Sequence, residues 1–348
     1  MKKHVWQKAL YAQSLIFTGL MAQVSAQTPL ALSIEMKAGQ AQLTVHGTAG
    51  TACQIQWSDS LSLTSMWFHL GHCVLTNSLS LFSDATSSSA NARRFYRAVW
   101  IPNTNMVWIS PGTFIMGSPV DEALRYPDET QHIVTIGRGF WIGKNPVTQN
   151  DYLGVVGSNP SYFTGDLNRP VEQVSWNDAT NYCALRTQQE RLTGQITADF
   201  IYRLPTESEW EYACRAGTTT AFYFGSWLHS GQANFYGTAE YEAAVGYISN
   251  PIGVFIGTTT PVGSYAPNGW GLYDMIGNIW EWCQDWYGAY PAGSATDPQG
   301  PLTGSYRLFR GGNWTAEATY CRSAFRSSAP TIASHNFGFR VVLASTQP

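Results

Sequence analysis

The sequence predicts an α+β chain in which a small all-β, sandwich-like domain precedes a larger domain with few regular elements. Three observations predict it. Residues 27–100 alternate polar and apolar side chains in short runs, as in Gln42-Leu43-Thr44-Val45 and Gln54-Ile55-Gln56-Trp57. Beyond Met106 two stretches carry clear helix-start signals, and Gly, Pro, Asn and aromatic residues dominate the rest. The 348 residues suit two domains at roughly 100–200 residues each.

Composition narrows the class of function. Twenty Lys and Arg stand against 23 Asp and Glu, for a net charge of −3. That balance offers no electrostatic footprint for nucleic acid or an anionic membrane surface. Charged residues make up 12 % of the chain, about half the roughly 25 % of ordinary globular proteins. A hydrophobic content of 44 % nevertheless excludes disorder. Fourteen Trp, 18 Tyr, 16 Phe and 32 Gly fill the difference. An aromatic core with turn-rich backbone follows.

The first 26 residues read as a secretory signal. Met1-Lys2-Lys3-His4 is a short basic start, Ala9 to Val24 is apolar apart from residues such as Gln13 and Gln23, and Val24-Ser25-Ala26 supplies small residues for cleavage before Gln27. The alternative is an uncleaved anchor, but the apolar stretch falls short of the ~20 residues that span a bilayer. No later segment is long and apolar enough to span. The expected location is therefore exported: periplasmic, cell surface or secreted.

In residues 27–100, runs at about ten-residue spacing with turns such as Gly47-Thr48-Ala49-Gly50 read as antiparallel strands. Arg93 to Trp100 reads as the closing strand, and Ile101-Pro102-Asn103-Thr104-Asn105 as the linker. In an oxidising compartment disulfides persist. Cys53 and Cys73 can close a short loop, worth about 3 kcal/mol through chain entropy. His69, His72, Cys53 and Cys73 lack zinc-ligand spacing, and scattered polar residues plus one disulfide is the simpler reading. The pairing of Cys183, Cys214, Cys283 and Cys321 is open, and no C-x-x-C occurs.

The second domain is read over 106–343, with 344–348 as a tail. Ser175-Trp176-Asn177-Asp178 places a capping hydroxyl three residues before a carboxylate, and Ala179, Tyr182, Cys183 and Leu185 follow at helical spacing. Thr206-Glu207-Ser208-Glu209 is a capping box, with Trp210, Ala213 and Cys214 on one face and Gly217 as the stop.

Seven motifs occur in order through this domain. They are Gly112 to Ser118 (GTFIMGS), Pro146 to Gln149 (PVTQ), Pro170 to Trp176 (PVEQVSW) and Arg203 to Glu211 (RLPTESEWE). Gly271 to Trp282 (GLYDMIGNIWEW), Arg310 to Trp314 (RGGNW) and Gly338 to Val341 (GFRV) complete the series. The series resembles the formylglycine-generating enzyme, or sulfatase-modifying factor, family across 106–343. That resemblance implies a variant of the C-type lectin fold.

It also implies sites. Calcium, a hard cation that collects several oxygens, would take the side chains of Asp274 and Glu281 and the backbone oxygens of Gly277 and Ile279. The alternative is that Glu281 caps a turn or pairs with an arginine under a Trp cluster. A second calcium site matches at Asn234 and the Phe235 carbonyl, but Gly253-Val254-Phe255-Ile256-Gly257 lacks the acid it needs. Family oxidases hold Cu(I) with two thiolates, the ligand such a soft ion favours. Here those positions are Ala316 and Cys321, so copper is left with one thiolate. Asn313 stands where the family places Ser, and Arg326 where an arginine lies near the substrate.

Two readings of Cys321 compete. A reactive thiolate needs an electropositive neighbour, and Arg322 is adjacent. A structural cysteine would be buried or bonded to Cys183, Cys214 or Cys283. Trp280, Trp282, Trp286 and Trp314 serve either a core or a groove. His132, His229 and His335 show no spacing for a non-haem iron triad, and no phosphate loop or Gly-x-Ser-x-Gly is present. Two functions are therefore carried forward. One is an exported maturation enzyme that oxidises a Cys-containing protein substrate through Cys321, Asn313 and Arg326. The other is a non-catalytic module that presents the loop from Asn313 to Phe337 to a protein or glycan.

Overall fold

The computed structural model describes residues 31–346, apart from 38–39, 48–51, 59–67, 76–78, 85–93, 102–104, 194, 197 and 238–252. The leader, residues 102–104 of the linker and the side chains of His69, His72 and Cys73 lie outside the described residues. The chain divides into two compact units between Thr104 and Asn105.

The first unit contains strands β1 (Ala31–Lys37), β2 (Gln40–His46), β3 (Ala52–Ser58), β4 (Phe68–Val74), β5 (Leu79–Asp84) and β6 (Phe95–Ile101). They form two three-stranded antiparallel sheets, in orders β1-β2-β5 and β4-β3-β6. Alternation explains the core. Side chains of a strand point to opposite faces in turn, so Ala41, Leu43 and Val45 are buried while Gln40 and His46 are exposed. Leu43 and Val45 of one sheet meet Cys53 and Ile55 of the other in one apolar cluster with Leu75. The register of β3 and β4 sets Cys53 opposite Cys73, and Cys53 is not among the free thiols.

The second unit is built differently. Its strands are β7 (Met106–Ile109), β8 (Gly112–Met116), β9 (His132–Ile136), β10 (Phe140–Gly143), β11 (Phe200–Arg203), β12 (Trp280–Trp286), β13 (Ala295–Thr296), β14 (Arg307–Arg310), β15 (Ser327–Ala329), β16 (Phe337–Gly338) and β17 (Val342–Ser345). They form sheets in orders β11-β17-β10-β7, β15-β14-β12-β16 and β13-β9-β8. Most of these strands have five residues or fewer, so long ordered loops carry the fold.

Three α-helices are present among the described residues: α1 (Gln149–Val156), α2 (Trp176–Leu192) and α3 (Glu207–Arg215). Both expected capping boxes form. The Asp178 amide donates to Ser175 Oγ at 3.2 Å and the Ser175 amide to Asp178 Oδ2 at 2.9 Å. Thr206 and Glu209 do the same at the head of α3. The reading of two helices is incomplete, because α1 carries an equivalent box at Thr148 and Asp151. Eight residues including Gly154 and two valines make a weak helix signal by propensity. The expected single apolar face of α3 is also corrected: all nine of its residues are buried, including Glu207, Glu209, Glu211 and Arg215. Burial all round requires that each charge be paired.

Candidate functional site

The pairing begins at α3. Glu209 holds Arg203 through two hydrogen bonds of 2.6 and 2.7 Å. Glu211 accepts from Arg215 Nε at 2.8 Å, from the Gly117 amide at 2.9 Å and from Arg310. Glu207 holds Arg326 at 2.8 and 2.7 Å. Arg310 is fully buried on β14, and its guanidinium also reaches the Ser323 and Phe325 carbonyls. These arginines lie in the core because their stems pack there while their heads find carboxylates.

The loop after β14 carries the expected catalytic residues. Gly311 and Gly312 both take left-handed backbone, at φ 99° and 80°. A Cβ at Gly312 would sit 2.2 Å from Cys321 Sγ, so the paired glycine lets the chain close over that thiol. Asn313 Oδ1 then accepts from the Thr315 amide at 2.9 Å, an Asx turn. A 3-10 turn, Ala318–Cys321, follows.

Cys321 is 0 % exposed, and burial pushes its thiol well above the usual range. Its sequence neighbour Arg322 supplies no activating charge to it, because that guanidinium is held by Glu122 and Glu129 at 2.7 Å. The electropositive setting a reactive thiolate needs is therefore not built from Arg322. Cys183, Cys214, Cys283 and Cys321 are all buried free thiols, so of the two structural alternatives for Cys321, buried or bonded, the buried one is present. Burial likewise raises Cys183 and Cys214 to about 12.

Arg326 does not join Cys321 at an open site. It lies between Tyr287 and Tyr290, donates to the Gly288 carbonyl at 2.9 Å and lines a small cleft with His132, Glu207 and Asp285. Neither Cys321 nor Asn313 lines that cleft. Asp285 accepts from the Glu207 amide at 2.8 Å, and burial beside Glu207 raises its carboxyl to about 7. Copper does not fit the residues at the expected position, since Ala316 supplies no sulfur and Cys321 is sealed beneath Gly312.

Calcium at Glu281 fares similarly. Glu281 is fully buried and both carboxylate oxygens are taken. Arg340 donates through Nε to Oε2 at 2.6 Å and through Nη2 to Oε1 at 2.7 Å, and Trp210 Nε1 reaches Oε2 at 2.7 Å. A guanidinium on a carboxylate occupies the place a hard cation needs, so this donor set does not fit calcium. The Gly277 carbonyl accepts from the Ile279 amide at 2.9 Å, and Ile279 itself is buried. Gly277 is a glycine of necessity, because a Cβ would meet the Asn234 carbonyl at 2.3 Å and φ is 74°.

Asp274 belongs to a polar network instead. Its Oδ2 accepts from the Gly263 amide at 2.6 Å, and burial raises its carboxyl to about 6. Asn278 joins Asp274, Thr260 and Asn234 through its amide. Asn234 Oδ1 and Thr260 Oγ1 are buried in that network without hydrogen-bond partners. The Phe235 carbonyl is taken by the Gly237 amide. Among the described residues no group of three His, Cys, Asp or Glu side chains converges as a metal site would.

Sequence reading missed a cluster of aromatic side chains beside the final loop. Phe163 meets Trp314 edge-on at 5.2 Å, His335 lies 5.8 Å from Trp314, and Phe255 stacks on Trp314 at 6.1 Å. Tyr162, 67 % exposed, packs on Phe163 and His335. No sequence spacing joins residues so far apart, and Trp314 alone pointed to the cluster.

Comparison with known proteins agrees with this architecture. The sulfatase-modifying factor enzyme 1-like domain matches residues 93–345. The formylglycine-generating enzyme of Streptomyces coelicolor is 35 % identical over 291 residues, covering 78 % of this chain and 77 % of that one. Chaperone protein LppX of Paenibacillus barcinonensis is 32 % identical over 222 residues, covering 52 % and 73 %. The structure of PvdO from Pseudomonas aeruginosa superposes with a TM-score of 0.57 at 29 % identity, covering 70 % of this chain and 96 % of that one. With seven ordered motifs set on this loop-rich scaffold, the chain belongs to the sulfatase-modifying factor, or formylglycine-generating enzyme, family.

Proposed function

We propose that the protein is an exported, non-oxidising member of this family that uses the lectin-like scaffold to recognise a protein or glycan. The single observation that carries this reading is the setting of Cys321. Its thiol is sealed under Gly312 with burial raising its pKa, and the position five residues earlier is Ala316. A thiol that resists ionisation and has no sulfur partner is poorly suited to hold Cu(I) or to attack a substrate. The recognition surface is the aromatic face formed by Tyr162, Phe163, Phe255 and His335, which packs over the buried Trp314. Large rigid rings with polar tips bury much area at small entropic cost, which suits a protein or sugar ligand. The name of LppX as a chaperone supports a protein partner. Family resemblance alone never decides activity. Calcium and copper have no part in this reading.

Incubating the full protein with a Cys-containing sulfatase-type peptide, copper and oxygen tests it. The expected outcome is an unchanged peptide mass; conversion of the cysteine would restore the oxidase reading. Thiol labelling adds an independent check, with Cys321 expected to stay unmodified until denaturant is added.

A further inference from the structure

A cavity of about 650 Å³ lies away from the final loop, between α2, β11, the end of β12 and the segment Gln299 to Leu302. Its size falls in the roughly 300–1,000 Å³ range of small-molecule sites. Ala184, Ile201, Leu204, Pro301 and Leu302 supply an apolar lining, and Leu302 stands 98 % exposed. Two cations line it, and they differ. Arg203 is neutralised by its double hydrogen bond to Glu209. Arg307 has no carboxylate within ion-pair distance among the described residues, whereas Arg215, Arg310, Arg326 and Arg340 each hold a glutamate.

The setting of Arg307 is specific. Its guanidinium lies between the indoles of Trp176 and Trp286, with its central carbon 3.6 and 3.5 Å from the two ring centroids. Nη1 donates to the Gln284 carbonyl at 2.7 Å, and Nε is buried without a partner. Both faces of the plane are thus covered, Nη1 is taken and Nε carries no accessible surface, so a ligand meets the guanidinium at Nη2. A terminal guanidinium nitrogen of this kind makes a charge-assisted hydrogen bond to a carboxylate oxygen. Trp176 is itself held by its Nε1 on the Cys283 carbonyl at 2.8 Å, so one wall is fixed in advance. A preformed clamp loses little freedom on binding.

We infer that this cavity is a binding site for a small organic acid, whose carboxylate docks on Nη2 of Arg307 while an aliphatic or aromatic body fills the apolar lining. The site is independent of the recognition surface proposed above. Saturation-transfer NMR on the full protein with phenylacetate, phenylacetamide and acetate tests it. Phenylacetate is expected to bind saturably, the neutral amide about tenfold or more weakly because the charge-assisted pair is lost, and acetate more weakly because the body is missing. Arg307→Gln is expected to abolish phenylacetate binding. Ala184→Trp fills the cavity from an exposed helix position and leaves Arg307 in the chain, and is expected to abolish binding in a protein that still folds. The inference is overturned if phenylacetate does not saturate by about 10 mM, near the weak end of specific binding. It is equally overturned if amide or acetate binds as well as phenylacetate, or if Ala184→Trp binds like the unmodified protein.

Discussion

The two units of this protein hold themselves together by different means. In the first, Leu43 and Val45 of β2 and Cys53 and Ile55 of β3 supply most of a small apolar core. In the second, strands are short and the core is threaded with arginine–glutamate pairs. Arg310, Arg326 and Arg340 reach partners 99, 119 and 59 residues away in sequence. Burying a pair of charges stabilises little by itself. Losing one partner is costly, so such pairs enforce one arrangement of the loops. The comparison teaches that a fold poor in ladders can substitute specific long-range ion pairs for them.

The largest effect that would sharpen this contrast lies at Glu281. Glu281→Gln leaves Arg340 buried without a counter-charge and is expected to lower stability of the second unit by about 3–5 kcal/mol, read as a shift in its denaturant midpoint. A loss below about 1 kcal/mol, typical of exposed pairs, would break the comparison.

Next comes a pH effect at Asp285. The unfolded chain releases this proton near the ordinary value of 3.8, while the folded carboxyl keeps it up to about 7. The folded state therefore binds more protons in between, and stability falls as pH rises through that window. The fall is up to about 4 kcal/mol, and the contribution is flat above it. Asp285→Asn is expected to flatten this slope in unfolding measured from pH 4 to 7, and an unchanged slope would refute the assignment.

In the first unit, Leu43→Ala is expected to cost about 3 kcal/mol through the cavity it leaves. Its unfolding transition should move while that of the second unit stays in place. The smallest expected effect is that of a chelator. Because Arg340 and Trp210 occupy the carboxylate of Glu281, EDTA should leave the second unit's thermal midpoint unchanged. A clear fall would return a cation to this site.

Much of the architecture was legible locally. The capping boxes at Ser175 and Thr206 place α2 and α3 because the interactions span three residues. The pattern around Leu43 places β2 because strand periodicity is two. The box at Thr148 was equally visible, yet Gly154 and the valines of α1 concealed the helix. The candidate site was less legible. Glu281 suits calcium or an arginine when read as a sequence, and Arg340, 59 residues on, determines which.

Local chemistry thus determined the helix starts, the glycines of the final loop and the absence of a second sulfur at Ala316. Those features depend on neighbours within a few residues, where backbone geometry leaves few choices. Tertiary structure alone decided that Cys321 is sealed, that Arg326 belongs to Glu207, and that Arg307 lies between two indoles with no carboxylate at ion-pair distance among the described residues. Burial and charge pairing depend on segments that meet only after the chain closes, and no spacing in the sequence records such meetings.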